Sequence, residues 1–300
     1  MAIISTRLNS SGTLYVNGIL DEISTSTLRT TTDTVYAAAF DEVTYAGDLS
    51  FAQRLGSDGT HYVTDEFDEF TGAPLVDNSL VLWLDAGQPA SYPGVGNTWT
   101  SLTSAATTSS LFTTTYLTSI GGSLNFNGIT SYADVVIPNL TSASTCTVEM
   151  LVNIKATGSR MPFGFTSYDV YLIGGNIGFN TGASDLYGIP SSTVTNLGIV
   201  NKWTHYTFVM RNNVIFPTVP YTNNKIYING VAQSLTQILN TQSSILRSFS
   251  NGICRISGWV NSSTQYKASM DLAVFKVYNR ELTEDEVQQN FNATRRRYNI

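Results

Sequence analysis

The sequence predicts an all-β protein of antiparallel strands that ends in one short helix. Apolar and polar residues alternate on both sides of Asn229-Gly230, with Ile226 and Ile228 before the pair and Val231 after it. Asn-Gly readily takes the two positive-φ positions of a tight turn, so this stretch predicts a β-hairpin. Only 13% of the residues are charged. Thr, Ser, Asn and Tyr carry much of the polarity, and Thr and Tyr pack well on pleated sheets.

Residues 1–72 are expected to form a small β-rich docking domain or arm. Asn17-Gly18 follows an alternating run and predicts a hairpin, while 34–47 and 60–70 read as further short strands. A segment of this size buries little apolar area by itself, so a neighbouring subunit is expected to complete its core. Glycine and proline then break the pattern, and residues 73–78 are predicted to be a linker.

Longer apolar strand patterns begin at residue 79. They are LVLWLDA (80–86), LNFNGITSYADV (124–135), TCTVEMLVNI (145–154), NKWTHYTFVMR (201–211) and DLAVFKVY (271–278). Trp83 and Trp203 each lie within such a pattern and are predicted to be core residues. Cys146 and Cys254 also fall in apolar strands and are predicted to be buried free thiols. Gly174-Gly175 predicts another hairpin turn.

The closing helix has clear start signals. Thr283 is an N-cap residue with Glu286 three positions later, which makes a capping box, and Leu282 and Val287 occupy the positions of a hydrophobic staple. We therefore expect a helix over 283–295. Three arginines at its end place positive charge where it complements the helix dipole. The alternative is that they dock onto an acidic partner surface.

This order of elements resembles the laminin-G / concanavalin-A-like jelly roll over about residues 79–292. The resemblance implies an antiparallel two-sheet sandwich at 79–300 with a short C-terminal helix, preceded by the small β-rich domain. The fold hosts lectins, glycanases and structural modules, so it does not by itself determine function. The low charge and the abundance of Thr, Asn and Gly also resemble virion structural proteins of tailed phages.

Several classes of function are disfavoured. A net charge of -6 gives no electrostatic footprint for nucleic acid. Residues 1–12 lack the basic region and the long apolar region of a signal peptide, and no run reaches the roughly 18 apolar residues of a membrane helix. We therefore expect assembly in a host cytoplasm without membrane insertion. The glycanases of the resembled family need paired carboxylates, whereas the best-placed strand offers Glu149 alone. The histidines, His61 and His205, lack partners for a metal cluster or a catalytic triad. We therefore expect no catalysis.

Two kinds of binding site are candidates. Some domains of the resembled family hold calcium at a loop rim, for which Asp85 and Asp271 are the candidates and Asn127 and Asp134 lie at further rim positions. The alternative for Asp271 is hydrogen bonding to the backbone at the start of a strand, and no cofactor is expected. Aromatic rings in or beside loops are candidates for stacking on a sugar. These rings belong to Tyr92, Tyr187, Tyr221 and Trp259.

The main hypothesis is a non-catalytic virion structural protein of a tailed phage. In this reading residues 1–72 anchor the chain to other virion proteins, and the jelly roll projects or bridges copies of itself, as capsid decoration or as part of a fibre or tail. The alternative is a carbohydrate-binding lectin or adhesion module for a host-surface glycan. A glycanase is a further alternative. The sequence leaves open the place in the particle, the oligomeric state and the identity of any glycan.

Overall fold

A computed structural model gives the structure of the chain, which divides into two compact units, Met1–Ala73 and Pro74–Ile300. The residues that the structure describes are 3–8, 14–18, 42–44, 52–55, 61–63, 75–119, 121–140, 145–166, 168–180, 185–211, 223–240, 249, 252–262, 264–298 and 300.

Regular elements are numbered here in chain order. The strands of the first unit are β1 (Ile3–Leu8), β2 (Leu14–Gly18), β3 (Glu42–Thr44), β4 (Ala52–Leu55) and β5 (His61–Val63). The strands of the second unit are β6 (Leu80–Asp85), β7 (Thr98–Thr100), β8 (Thr108–Phe112), β9 (Thr115–Leu117), β10 (Ser123–Asn127), β11 (Tyr132–Val136), β12 (Cys146–Ile154), β13 (Arg160–Phe165), β14 (Asp169–Ile173), β15 (Asn176–Asn180), β16 (Leu186–Ile189), β17 (Trp203–Met210), β18 (Lys225–Ile228), β19 (Val231–Ala232), β20 (Thr236–Leu239), β21 (Ile253–Ile256) and β22 (Ser269–Tyr278). The helices are α1 (Ser191–Leu197) and α2 (Glu284–Tyr298).

The described residues of the first unit form strands, but not the hairpin predicted at Asn17-Gly18. Strand β2 includes both residues and pairs antiparallel with the preceding strand β1, with Ile3 opposite Gly18. A second sheet has the order β3-β4-β5. The turn prediction was wrong because both residues belong to β2, whose partner is the strand that precedes it in the sequence.

The second unit is a sandwich of two antiparallel sheets, as the sequence predicted. An eight-stranded sheet has the order β19-β18-β17-β12-β22-β10-β9, with β6 also paired to β22. A nine-stranded sheet has the order β20-β16-β15-β14-β13-β21-β11-β8-β7. One large cluster of apolar side chains from the inner faces of both sheets forms the core.

Strand β12 is buried along its whole length because both of its faces are covered. Val148, Met150 and Val152 belong to the core between the sheets, while Glu149 and Leu151 point to the opposite face. Cys146 and Cys254 are buried in the same core and their thiols are free, as predicted.

Two of the predicted hairpin turns are confirmed. Asn229 and Gly230 have φ values of 49° and 79° and connect β18 to β19. Gly174 and Gly175 have φ values of 59° and 85° and connect β14 to β15. Two successive positive φ values match the twist of a two-residue hairpin, which explains why glycine and asparagine occupy these positions.

The prediction that Trp83 and Trp203 are core residues was wrong. Both lie on the outer face of the eight-stranded sheet and are partly buried, packed against a small cluster that includes Tyr298. The tryptophan of the core is Trp99 on β7, which has no exposed surface. Alternation identifies a strand, but it does not say which of its two faces meets the second sheet.

Helix α2 begins with the predicted capping box. The backbone N–H of Thr283 donates to Glu286 Oε2 at 2.9 Å, and the N–H of Glu286 donates to Thr283 Oγ1 at 3.3 Å. Leu282 and Val287 are both buried in one apolar cluster, as the staple requires. The helix continues to Tyr298, three residues beyond the predicted end, because Tyr298 packs on Trp203 with ring centroids 5.4 Å apart.

Replacing Thr283 by Ala is expected to lower the free energy of unfolding by about 1 kcal/mol, because the N–H of Glu286 loses its acceptor. Denaturant melts measure the difference. Thr294→Ala is the matched control: its hydroxyl bonds only carbonyls of its own helix, at Asn290 and Phe291, and its loss should stay within about 0.5 kcal/mol. Equal losses for the two variants would contradict the role of the cap.

Candidate functional site

The outer faces of the two sheets differ in what covers them. On the eight-stranded sheet, helix α2 lies over β17 and its neighbours and buries Val287, Phe291 and Tyr298. The side chains beneath the helix are therefore removed from solvent. In the described residues, the outer face of the nine-stranded sheet carries no such helix, and several of its aromatic side chains are partly exposed, whereas Arg255 and Lys267 are buried.

A buried polar cluster lies beneath α2. Lys276 Nζ is 3.3 Å from Glu149 Oε2, and both side chains are only 1% exposed. Asn290 Nδ2 of the helix donates to both carboxylate oxygens of Glu149, at 3.0 and 3.1 Å. His205 Nε2 is 3.9 Å from the same carboxylate, and burial lowers the pKa of His205 to about 4, against the opposing effect of Glu149. The imidazole is therefore neutral at pH 7.

This cluster joins the helix to the sheet, and its side chains are buried. Glu149, the carboxylate that a glycanase would need on this strand, is neutralised by Lys276 and bonded by Asn290. His205 is buried in strand β17. The candidate site lies on the other sheet.

Strand alternation places aromatic and charged residues on the outer face of the nine-stranded sheet. On β11, Ala133 and Val135 point into the core, so Tyr132 and Asp134 point outward. On β14 the same argument places Tyr171 outward. We call the group on this face the outer-face cluster. Its members are Phe112, Tyr132, Asp134, Tyr171, Arg255, Trp259, Tyr266 and Lys267.

The aromatic rings of the outer-face cluster form two groups. Phe112 and Tyr132 stack with centroids 4.3 Å apart and an interplanar angle of 12°, and Phe112 is 40% exposed. Tyr171 and Tyr266 meet edge to face at 5.6 Å, and partly buried Trp259 belongs to the same apolar cluster. These rings offer flat apolar surface beside hydrogen-bonding groups, as sugar-binding sites do.

Arg255 connects the two groups of rings. Its Nε and Nη2 bind the two oxygens of Asp134 at 2.6 and 2.7 Å, and its guanidinium carbon lies 4.3 Å from the centroid of Tyr132. Its Nη1 donates to the carbonyls of Trp259 at 3.3 Å and Ser262 at 2.8 Å. The hydrogen bonds to Asp134 fix the planar guanidinium group of Arg255. Its bonds to the two carbonyls then hold the segment that carries Trp259.

The sequence-predicted stacking residues are found in different environments. Trp259 is in the outer-face cluster, and its indole N–H donates to the carbonyl of Thr166 at 3.3 Å. Tyr92 and Tyr187 are buried, which contradicts their prediction as exposed rings. Both pack into the core, and the hydroxyl of Tyr92 donates to the carbonyl of Gly96 at 2.9 Å. Tyr221 lies outside the described residues.

The two calcium candidates are both engaged in ion pairs. Asp85 is bound by Arg297 at 2.7 and 2.9 Å, and Asp271 lies 2.8 Å from Lys155 Nζ and accepts from Asn125 Nδ2 at 2.6 Å. A lysine or arginine at this distance supplies the positive charge beside each carboxylate, and calcium at these positions stays a prediction. No group of three or more His, Cys, Asp or Glu in the described part of the chain is arranged to hold a metal ion.

Sequence reasoning missed most of the outer-face cluster. Tyr132 and Asp134 did carry a signal, since they alternate with the apolar residues of β11, but the pattern cannot tell an open face from a covered one. Arg255 and Lys267 are separated from Asp134 by more than a hundred residues, and only strand pairing brings them together. Among the described residues, no helix has the length and hydropathy needed to cross a bilayer.

Several solved structures with a similar fold are described as binding domains. The binding domain of Paraclostridial Mosquitocidal Protein 1 has a TM-score of 0.50 and 16% identity, covering 72% of this chain and 52% of that chain. The binding domain of botulinum neurotoxin serotype D has a TM-score of 0.48 and 12% identity, covering 71% and 51%. The serotype D ligand binding domain in complex with N-acetylneuraminic acid has a TM-score of 0.48 and 11% identity, covering 71% and 50%. The chain thus spans about half the length of these structures.

No curated protein sequence matches the chain. A family model described as the concanavalin A-like lectin/glucanases superfamily matches residues 126–288, which is more than half of the chain. The matched segment includes the central strands of both sheets and the first part of α2. Because the match covers more than half of the residues, the chain belongs to the concanavalin A-like lectin/glucanase superfamily.

Proposed function

We propose that the chain is a non-catalytic carbohydrate-binding module and that the outer-face cluster is its ligand surface. The observation that supports this most is the pairing of partly exposed rings with fixed polar groups on a sheet face that no helix covers in the described residues. Phe112 and Trp259 supply apolar surface, and Asp134, with a side chain 39% exposed, supplies oxygen acceptors beside them. Sugars present the same combination of C–H faces and hydroxyl groups.

Two further observations support the proposal. The carboxylate best placed for glycan hydrolysis, Glu149, is buried under α2 and paired with Lys276. It is therefore not free to act as one of the two carboxyl groups that retaining hydrolysis requires. The related solved fold includes a domain crystallised with N-acetylneuraminic acid, at 11% identity. That relationship extends to the fold, and the ligand of this chain is a proposal that rests on the cluster.

Replacing Trp259 by Ala is expected to weaken saccharide binding about tenfold, because the ring that stacks on the sugar is lost. Binding of the full chain to an array of neutral and acidic oligosaccharides, followed by calorimetry on the best ligand, measures the change. Trp203→Ala is the matched control, since that indole is also partly buried but lies on the other sheet against Tyr298. Binding that is unchanged in Trp259→Ala, or absent from the wild type, would rule out this ligand surface.

A second proposal is that the module serves in the virion of a tailed phage, with residues 1–72 as the anchor to other virion proteins or to copies of itself. The low share of charged residues and the division of the chain between Ala73 and Pro74 support it. In this case the chain assembles in the host cytoplasm and the second unit carries the glycan-binding surface outward.

Deleting residues 1–73 is expected to leave a folded, soluble 74–300 fragment that no longer joins the particle. The second unit has its own core, so circular dichroism and thermal melting should show a cooperative transition. Incorporation is measured by co-sedimentation with particles that lack the chain. A fragment that is incorporated as well as the full chain would show that the anchor lies in the second unit.

A further inference from the structure

The buried polar cluster beneath α2 brings together a lysine, a carboxylate and an asparagine amide. Lys276 Nζ and Asn290 Nδ2 both contact the same oxygen, Glu149 Oε2, at 3.3 and 3.1 Å. Strand pairing sets Lys276 of β22 directly opposite Glu149 of β12, and Asn290 reaches both of them from α2. A nucleophilic amine, a group that carries protons and an amide are the parts of an acyl transfer reaction.

The amide of Asn290 is held in one orientation. Its Oδ1 accepts from the backbone N–H of Val76 at 2.9 Å, and its Nδ2 donates to both oxygens of Glu149 and to the Tyr278 hydroxyl. Because an N–H cannot accept and an ionised carboxylate cannot donate, these partners determine which atom of the amide is the oxygen. The Val76 N–H is therefore placed to stabilise negative charge on Oδ1, as an oxyanion-hole donor does, while the nitrogen that would leave faces the carboxylate.

The three reacting side chains are buried. Glu149 and Lys276 are each 1% exposed, and Asn290 has no exposed surface. Separated charges are costly in such a place, and moving one proton from Nζ to the carboxylate leaves two neutral groups and an amine with a free lone pair. The same burial favours attack on the amide by this amine over attack by water.

We propose that Lys276 and Asn290 join in an isopeptide bond, with Glu149 as the proton carrier, and that this bond ties α2 covalently to the sheet. Nζ gives one proton to Glu149 and attacks Cγ of Asn290. Glu149 then passes its proton to Nδ2 and takes the second proton of Nζ as the bond between Cγ and Nδ2 breaks. The products are a secondary amide, ammonia and a neutral Glu149, so atoms and charge balance without another reagent. The reaction occurs once in each chain and does not depend on carbohydrate binding.

A second trio of similar residues provides an internal comparison. Lys155 Nζ lies 2.8 Å from Asp271 Oδ2, whereas Asn125 Nδ2 donates to the other oxygen, Oδ1, at 2.6 Å. The side chain of Lys155 is 34% exposed, so its ammonium remains in contact with solvent. Because the amine and the amide contact different oxygens and the site is open to water, we expect no bond between Lys155 and Asn125.

Mass spectrometry of the intact, unfolded full chain tests the proposal. The bond lowers the mass by about 17 Da relative to the sequence, because ammonia is released. Digestion with trypsin should then give residues 268–280, uncleaved after Lys276, joined to residues 281–295. The joined peptides distinguish this bond from a succinimide, which loses the same mass within one peptide. Cleavage after Lys155 should proceed normally.

Variants assign the roles within the reaction. Lys276→Met, Asn290→Ala and Glu149→Gln should each keep the mass of their own sequence and give no joined peptides. Glutamine has nearly the shape of glutamate but cannot accept the proton, so Glu149→Gln separates the chemical role from packing. Lys155→Met is the control and should lose ammonia as the wild type does.

A wild-type chain that keeps the full mass of its sequence after prolonged incubation at neutral pH would overturn the proposal, and this measurement needs no variant. A loss of ammonia without the joined peptides would also overturn it, as would joined peptides that form equally in Glu149→Gln. None of these results depends on whether a saccharide binds. An unreacted chain carries the ion pair and a reacted chain carries the amide, so the intact mass also identifies which of the two a denaturation experiment measures.

Discussion

Replacing Lys276 by Met is expected to lower the free energy of unfolding by about 3–5 kcal/mol, because it leaves a buried carboxylate without its countercharge. Glu149 and Lys276 are each only 1% exposed and lie 3.3 Å apart beneath α2. Methionine has nearly the volume of the lysine stem, so the loss comes from charge and not from a cavity. Asn290 still donates to Glu149 in the variant, but an amide does not neutralise a carboxylate.

Chemical denaturation of the full chain, followed by far-ultraviolet circular dichroism, measures this loss. The double variant Glu149→Gln with Lys276→Met is the matched control: it removes both charges and should recover much of the stability. Arg280→Met is a second control, since Arg280 pairs with Glu286 in a partly exposed ion pair and should cost less. A Lys276→Met variant within about 1 kcal/mol of the wild type would show that the buried pair contributes little.

Replacing Trp99 by Ala is expected to cost about 3–5 kcal/mol, because it removes a side chain with no exposed surface from the core between the sheets. Trp99 lies on the short edge strand β7, whose neighbours Thr98 and Thr100 face solvent or the rim. Its indole is thus the main apolar contact that this strand makes with the core. The cavity that remains would border Leu111 and other core residues that cannot close over it fully.

Trp83→Ala is the matched comparison for Trp99→Ala. Trp83 lies on a longer strand but is only partly buried, on the face covered by the end of α2. The smaller buried area predicts a smaller loss of unfolding free energy, by about 1–2 kcal/mol, than the loss for Trp99→Ala. Thermal and urea melts of the two variants measure the order directly. The reverse order would contradict the assignment of the two faces.

Features that depend on neighbours in the sequence could be predicted from the sequence. The Asn229-Gly230 turn, the capping box at Thr283 and the apolar strand patterns were all confirmed, since each depends on backbone conformation within a few residues. The same reasoning did not identify α1, a helix of seven residues with a single buried side chain, Val194. A polar helix this short has no periodic apolar pattern, and its local signals are Pro190 before its first residue and Gly198, with φ of 60°, after its last.

The candidate site shows the same division more sharply. Trp259 was nominated because it lies beside a loop, and it does belong to the outer-face cluster. Tyr92 and Tyr187 were nominated for the same reason, yet they are buried. Whether a ring near a turn is exposed depends on which strand packs over it, and that strand lies far away in the sequence.

The sequence by itself determined the strands, two of the turns, the helix cap and membership of an antiparallel sandwich family, because these follow from alternation and local hydrogen bonding. Only the tertiary structure decided which face of each strand meets the other sheet, and so which tryptophan lies in the core. It also decided that α2 covers Glu149, and that Arg255 and Lys267 meet Tyr132 on the other sheet. The physical reason is that the face a strand turns inward is chosen by burial against distant strands, a global free energy that no local pattern contains.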